Sequence, residues 1–193
     1  PSLTRSKSAL VPQLWPPLFR RPTPLPNNQQ FKLRTKFIGT RDVHEYRQTI
    51  GSWVCEQDTI LEIGCEWGTT TMKLAPACHR VIGTDVSQDC IDRARREHPE
   101  CEFDVLDAFD VRAAVDLAVA HEIEEFTKIY IDMSGLSGYR SLLDTISLLT
   151  MYATVLRPEA IIIKSASLKH FANLCQPWRG HDGVSRKSQQ AKT

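Results

Sequence analysis

The sequence predicts an α/β fold, a parallel β-sheet doubly wound by helices. Three observations predict it. From residue 59 onward, short β-branched apolar runs alternate with segments of helical period. The chain has 193 residues, 41% hydrophobic and 24% charged, which is one domain's worth of material with a single sizeable core. No apolar run approaches the ~18 residues of a membrane-spanning helix, so a membrane role of that kind is excluded.

The elements follow in order. Structure is expected from about Thr40, where Val43, Tyr46, Ile50 and Trp53 recur at helical spacing, with Thr40 as N-cap and Asp42 in the first turn. Thr59 to Ile63 reads as the first strand, and Thr69 to Ala75 as a helix stopped by Pro76. Arg80 to Thr84 is the second strand, and Ser87 caps a helix running to about Glu97. Cys101 to Leu106 is the third strand, followed by a helix over Ala108 to Ala120. Thr127 to Ile131 is the fourth strand, ended by Asp132, and a Gly/Ser loop spans Ser134 to Gly138. A long helix covers Tyr139 to Val155, Glu159 to Lys164 is the fifth strand, and a short helix covers Leu168 to Cys175. Right-handed crossovers make such strands a doubly wound sheet, and the order expected for the five is 3-2-1-4-5. Ligands of these sheets bind at the carboxyl ends of the strands, near the switch in strand order.

The ends of the chain differ from its middle. Residues 1–41 hold eight Lys/Arg and no acid, and residues 164–193 hold six Lys/Arg and one acid. The middle, 42–163, holds ten Lys/Arg against twenty-two acids, so an acidic body lies between two basic ends. The expected organisation is a Pro-rich basic flexible arm over 1–39, a domain over 40–175 and a basic disordered tail over 176–193. Seven of the eleven prolines fall in residues 1–35. The Ser/Arg/Pro-rich, acid-free arm has the composition of an organellar transit peptide for a chloroplast or mitochondrion. Its alternatives are an untargeted tail on a cytoplasmic protein, or an arm that touches nucleic acid. Pro1 in place of Met reads as a processed, trimmed or partial chain. The six cysteines form no C-x-x-C pair, which argues against a disulfide scaffold, a structural zinc or any other metal site, and suits a reducing compartment.

Chemistry concentrates at the strand ends. Glu62-Ile63-Gly64-Cys65-Glu66-Trp67-Gly68 follows the first strand and opens a helix. Gly64 and Gly68 let the backbone turn tightly and approach a ligand. Asp85 ends the second strand 23 residues after Glu62, where a carboxylate can accept from both hydroxyls of a ribose. Asp107 follows the third strand, placed to meet an adenine edge or to cap the helix beginning at Ala108. Each residue has a plainer reading. Glu62 could form a simple ion pair, Glu66 could cap the helix or narrow the pocket, Trp67 reads as packing, and Asp104 and Asp110 read as solvated.

This pattern resembles the class I S-adenosylmethionine-dependent methyltransferases, with their Rossmann-like sheet. Their acid-x-Gly-x-Gly-x-Gly motif matches Glu62, Gly64 and Gly68, with Glu66 in place of the middle glycine. Val81 to Ser87 is similar to the second motif, Phe103 to Ala108 to the third, and Leu156-Arg157-Pro158-Glu159-Ala160 to the segment before strand five, with both glycines replaced. The resemblance spans about residues 40–166 and implies S-adenosylmethionine as cofactor, bound by Glu62, Gly64, Gly68, Asp85 and Asp107. A pyrophosphate-binding dinucleotide fold is the nearest competitor, but Glu66 would repel a pyrophosphate, whereas a sulfonium cation suits an acidic lining. A fold that has lost its ligand is the third alternative.

On the acceptor side, Asp132 ends strand four and Lys164 ends strand five. Together they resemble the middle of the Lys-Asp-Lys-Glu tetrad of the FtsJ-like RNA ribose methyltransferases, which implies catalytic roles for Asp132 and Lys164. Arg41 or His44 stands near the place of the first lysine, and no later strand supplies the glutamate. The alternative for this pair is a structural ion pair. Asp132-Met133-Ser134-Gly135 departs from the Asn/Asp-Pro-Pro-Tyr of the amino-methyltransferases, which counts against a planar amino acceptor. The family adds late strands, and only 29 residues follow Lys164, so either the sheet is trimmed to five strands or the chain is incomplete. Two functions are therefore expected to compete. One is methyl transfer to an acceptor such as RNA, reached through the basic ends. The other is a noncatalytic methyltransferase-like protein that binds or assembles with a partner.

Overall fold

The computed structural model describes residues 33–176; the arm up to residue 32 and the tail from residue 177 lie outside the described residues. Its strands are β1 (Lys36–Thr40), β2 (Thr59–Ile63), β3 (Arg80–Asp85), β4 (Glu102–Val105), β5 (Lys128–Ile131) and β6 (Ala160–Lys164). Its helices are α1 (Val43–Gln48), α2 (Ile50–Trp53), α3 (Thr71–Leu74), α4 (Gln88–Glu97), α5 (Val111–Ala120), α6 (Leu142–Val155) and α7 (Ala166–Leu174). The strands form one sheet in the order β1-β6-β5-β2-β3-β4, and every neighbouring pair is parallel. The five strands read from the sequence keep their expected order, 3-2-1-4-5. No helix among the described residues is long and apolar enough to cross a membrane.

The sheet has one strand more than expected. β1 pairs with β6 from Lys36 opposite Ala160 to Thr40 opposite Lys164. Residues 36–39 are therefore strand, not part of a flexible arm. The signal was missed because Lys-Phe-Ile-Gly-Thr has no clean alternation and includes a glycine, as edge strands often do. Thr40 accordingly ends β1 instead of capping a helix, and its Oγ1 donates to the Ile163 carbonyl at 3.1 Å. The cap is Asp42, whose side chain accepts from the amides of His44 and Glu45, each at 3.0 Å.

A second boundary also moves. α5 begins at Val111, three residues later than expected, because Asp110 caps it by accepting from the amides of Arg112 (3.1 Å) and Ala113 (3.0 Å). Asp104, read as solvated, meets the His121 ring at 3.0 Å. Ser87 caps α4 as expected.

Both faces of the sheet are covered, which is why its strands read as continuous apolar runs. Leu61, Ile129, Ile131 and Ile161 pack under α5 and α6 through Leu117, Leu148 and Tyr152. On the opposite face, Ile60, Val81, Tyr130 and Ile162 pack under Tyr46 of α1 and Leu74 of α3.

Candidate active site

Neighbouring strand ends open on one cavity of about 560 Å³. Parallel pairing puts an ionisable side chain at each position along it. In sheet order these are Lys164 ending β6, Asp132 just past β5, Glu62 in β2, Asp85 ending β3 and Asp107 two residues past β4. All five line the cavity, as do Gly64 and Glu66.

The glycine loop is shaped by what surrounds it. Gly64 has φ +81°, and a Cβ there would collide with the Asp132 carbonyl oxygen, so β5 as well as the turn demands glycine. Gly68 also has φ +81°, but it does not reach the cavity lining. A Cβ on Gly68 would lie 2.6 Å from the Phe103 ring, so this glycine permits the loop to pack against β4. Glu66 keeps the left-handed backbone of the glycine it replaces, at φ +50°. A non-glycine residue there stores about 1 kcal/mol of strain. Glu66 caps no helix. Its amide donates to Asp85 Oδ2 at 3.1 Å and ties the loop to the end of β3. Trp67 lies outside the cavity lining, with the Arg93 guanidinium 3.6 Å from its ring centroid.

The carboxylates differ in state. Glu62 is 1% exposed and accepts from Thr71 Oγ1 at 2.5 Å. Burial raises its pKa to about 7; the Thr71 hydrogen bond opposes this, the negative charge of Asp132 adds to it, and Arg47 opposes it. No cation lies within ion-pair distance of Glu62 among the described residues, so the simple ion pair does not form. Asp85 accepts from the amides of Ser87 (2.9 Å) and Glu66 (3.1 Å), one on each oxygen. Asp107 does not cap a helix; its Oδ1 accepts from the Phe109 amide at 2.9 Å.

At the other end, Asp132 and Lys164 form a close ion pair, both partly buried. Neither Arg41 nor His44 joins them. Arg41 pairs with Asp42 at 3.0 Å and Glu45 at 3.7 Å, and His44 meets Gln48 at 3.0 Å. The cation that α1 contributes is Arg47, whose Nε donates to Thr70 Oγ1 at 3.0 Å. Sequence reasoning missed it, although Val43 and Arg47 lie four apart on one face of a helix and both line the cavity. The lining thus holds five carboxylates, Glu62, Glu66, Asp85, Asp107 and Asp132, and two cations, Arg47 and Lys164.

Residues 60–134 match the family model described as a methyltransferase domain. These residues belong to the methyltransferase-domain family. The resemblance read from the motifs holds over this span, from β2 through Asp132 to Ser134. Arg47, Lys164 and β1 fall outside the matched span of the methyltransferase domain. Similar solved structures include a TehB-like SAM-dependent methyltransferase from Corynebacterium glutamicum (22% identity, 63% of this chain and 62% of that chain covered, TM-score 0.42). Another is the N-methyltransferase NodS from Bradyrhizobium japonicum (21%, 59% and 62%, 0.43). A third is DesVI from Streptomyces venezuelae (16%, 62% and 50%, 0.47). The chain spans less than two thirds of the length of each. No curated protein is detectably similar in sequence.

Proposed function

We propose that the methyltransferase domain binds S-adenosylmethionine and passes its methyl group to an acceptor presented beside Asp132 and Lys164. The observation that carries this reading is the row of strand-end side chains on one acidic cavity. Five carboxylates against two cations suit a sulfonium ligand and repel a pyrophosphate. The cofactor supplies an activated methyl group, so the protein's work is to bind, orient and take up a proton. Asp85 uses one acceptor site on each oxygen for backbone amides. An ionised carboxylate has about four such sites, so two remain for ribose hydroxyls. Asp107 keeps one oxygen for an adenine edge, and Glu62 and the Gly64 turn hold the opposite end. The Asp132–Lys164 pair takes the acceptor's proton, which suits a hydroxyl such as an RNA ribose, with the basic ends of the chain attracting the phosphates.

A second reading is a methyltransferase-like binding protein without activity. It draws on Glu66, a charged residue held in strained backbone where the motif has glycine.

Calorimetry separates these readings. Wild type should bind S-adenosylmethionine, and Asp85→Ala should lose about 10- to 100-fold in affinity through the ribose contacts. Lys164→Met should keep cofactor affinity and lower tritiated methyl transfer into total cellular RNA by about 10²–10⁴-fold. Cofactor binding with no transfer to RNA or protein would favour the binding-protein reading. Tight dinucleotide binding would overturn the cofactor assignment.

A further inference from the structure

The two outer edges of the sheet differ. At the β4 edge, side chains and a neighbouring carboxylate occupy the backbone groups that point away from the sheet. Arg95 donates to the Phe103 carbonyl at 2.7 Å, and the Val105 amide donates to Asp104 Oδ1 at 2.8 Å. At the β1 edge the Lys36 amide donates to the Glu159 carbonyl, and the Thr40 carbonyl accepts from the Ser165 amide, both at 2.9 Å. Backbone direction alternates along a strand, so Ile38 also faces β6, and the amides and carbonyls of Phe37 and Gly39 point outwards. Among the described residues nothing bonds to those outward groups. The open stretch stops at Arg41, whose amide donates to the Glu45 carboxylate at 2.8 Å, which Lys169 also holds at 2.6 Å. Phe37 is 43% exposed. It lies on the face that α7 covers, where a Cβ on Gly39 would be 3.5 Å from Lys169. α7 itself carries exposed Phe171 and Leu174. An open ladder beside exposed apolar side chains is a template for another strand.

We propose that the β1 edge pairs with β1 of a second copy of this chain, antiparallel across a two-fold axis at Phe37. The edge is self-complementary in that register. Phe37 exchanges both backbone bonds with Phe37 of the second copy, Gly39 pairs with Thr35 of that copy, and the Glu45–Lys169 pair at Arg41 stays outside the paired stretch. The two exposed rings lie directly across from each other and shield one another from water. Lys36 faces Ile38 of the second copy, so no like charges stand directly opposite. Its ammonium is drawn aside, 5.6 Å from the Trp53 ring centroid. One continuous sheet then runs through both copies. Neither Phe37 nor Gly39 lines the cavity, so this interface stands or falls apart from the cofactor reading.

Light scattering on the full chain after size exclusion tests this, and wild type should have twice the chain mass. Phe37→Lys should raise the dimer dissociation constant at least about 10-fold, through loss of the paired rings. Gly39→Pro should also favour the monomer. It removes an outward amide that β6 does not use, a change an edge strand tolerates. Far-UV circular dichroism matching wild type would show that both variants keep the fold. Oxidised Phe37→Cys should give a disulfide-linked dimer joined at position 37, identified by mass spectrometry, because directly paired residues sit about 5.5 Å apart at Cα. A monomeric wild type would overturn the proposal and leave this edge to another protein or to the ends of the chain. A dimer that both substitutions leave unchanged would place the second copy elsewhere and overturn it equally.

Discussion

Glu62 departs furthest from the chemistry of its free side chain. Its carboxyl lies among Thr71, Asp132 and Arg47, almost wholly out of water, and its pKa rises from 4.5 to about 7. Between those two values the folded chain holds a proton that the unfolded chain has released. Stability therefore falls as pH rises from about 4.5 to about 7, and the whole penalty is in force above that window. The cost at pH 8 is about 3 kcal/mol. Glu62→Gln keeps the acceptor for Thr71 and has no charge to desolvate. It should match wild type in urea denaturation at pH 4.5 and exceed it at pH 8. A difference between the two proteins that did not change with pH would refute this account.

At the scale of elements, the amino ends of the central strands are joined by one buried cluster. Lys128, first in β5, donates to Asp58 at 2.8 Å and to Glu159 at 2.7 Å. Asp58 also accepts from Thr127 Oγ1 at 2.6 Å and the Cys55 amide at 2.8 Å, while its carbonyl receives the amides of His79 and Arg80 at the start of β3. Desolvation raises the Asp58 pKa, but the hydrogen bonds from Lys128 and Thr127 outweigh it and hold the carboxyl below its ordinary range. The cluster's contribution is therefore present at neutral pH and lost as pH falls through that lowered value. Lys128→Met should cost about 3–5 kcal/mol at pH 7, because it leaves Asp58 buried without its cation. Guanidinium denaturation measures this, and a cost below about 1 kcal/mol would mean that hydroxyl and amide partners suffice.

For the molecule as a whole, β1 decides where the sheet ends. It covers the outer side of β6, Thr35 Oγ1 donates to the Pro158 carbonyl at 2.7 Å, and Gly39 lies where a Cβ would touch the Lys169 backbone of α7 at 3.5 Å. Removing residues 1–40 would bare the hydrogen-bonding edge of β6 beside Ile162 and Ile163, a template for pairing with other chains. The truncated protein should melt at least about 5 °C lower. It should also elute earlier than its mass predicts in size-exclusion chromatography. A monomer with an unchanged melting temperature would show that the β6 edge needs no cover.

What could be read without coordinates was local. Five strands follow from β-branched runs punctuated by glycine, proline and aspartate, because hydrophobic period and turn chemistry act within a few residues; their order was expected from the doubly wound fold that the motifs resemble. The glycine loop and the acids of the adjoining strand ends were legible for the same reason, since crossover handedness leaves few arrangements of such elements. Tertiary structure alone decided the rest. β1 is a strand because β6, more than a hundred residues later, offers it a ladder; its own five residues carry no period. Gly64 is required by the Asp132 carbonyl just past β5, the second motif glycine packs against Phe103, and the Glu62 pKa rises to about 7 chiefly because the fold buries its carboxyl. Arg47 enters the site only because α1 folds back over the strand ends. Each of these depends on atoms far apart in sequence, where desolvation and close packing act and local pattern carries no information.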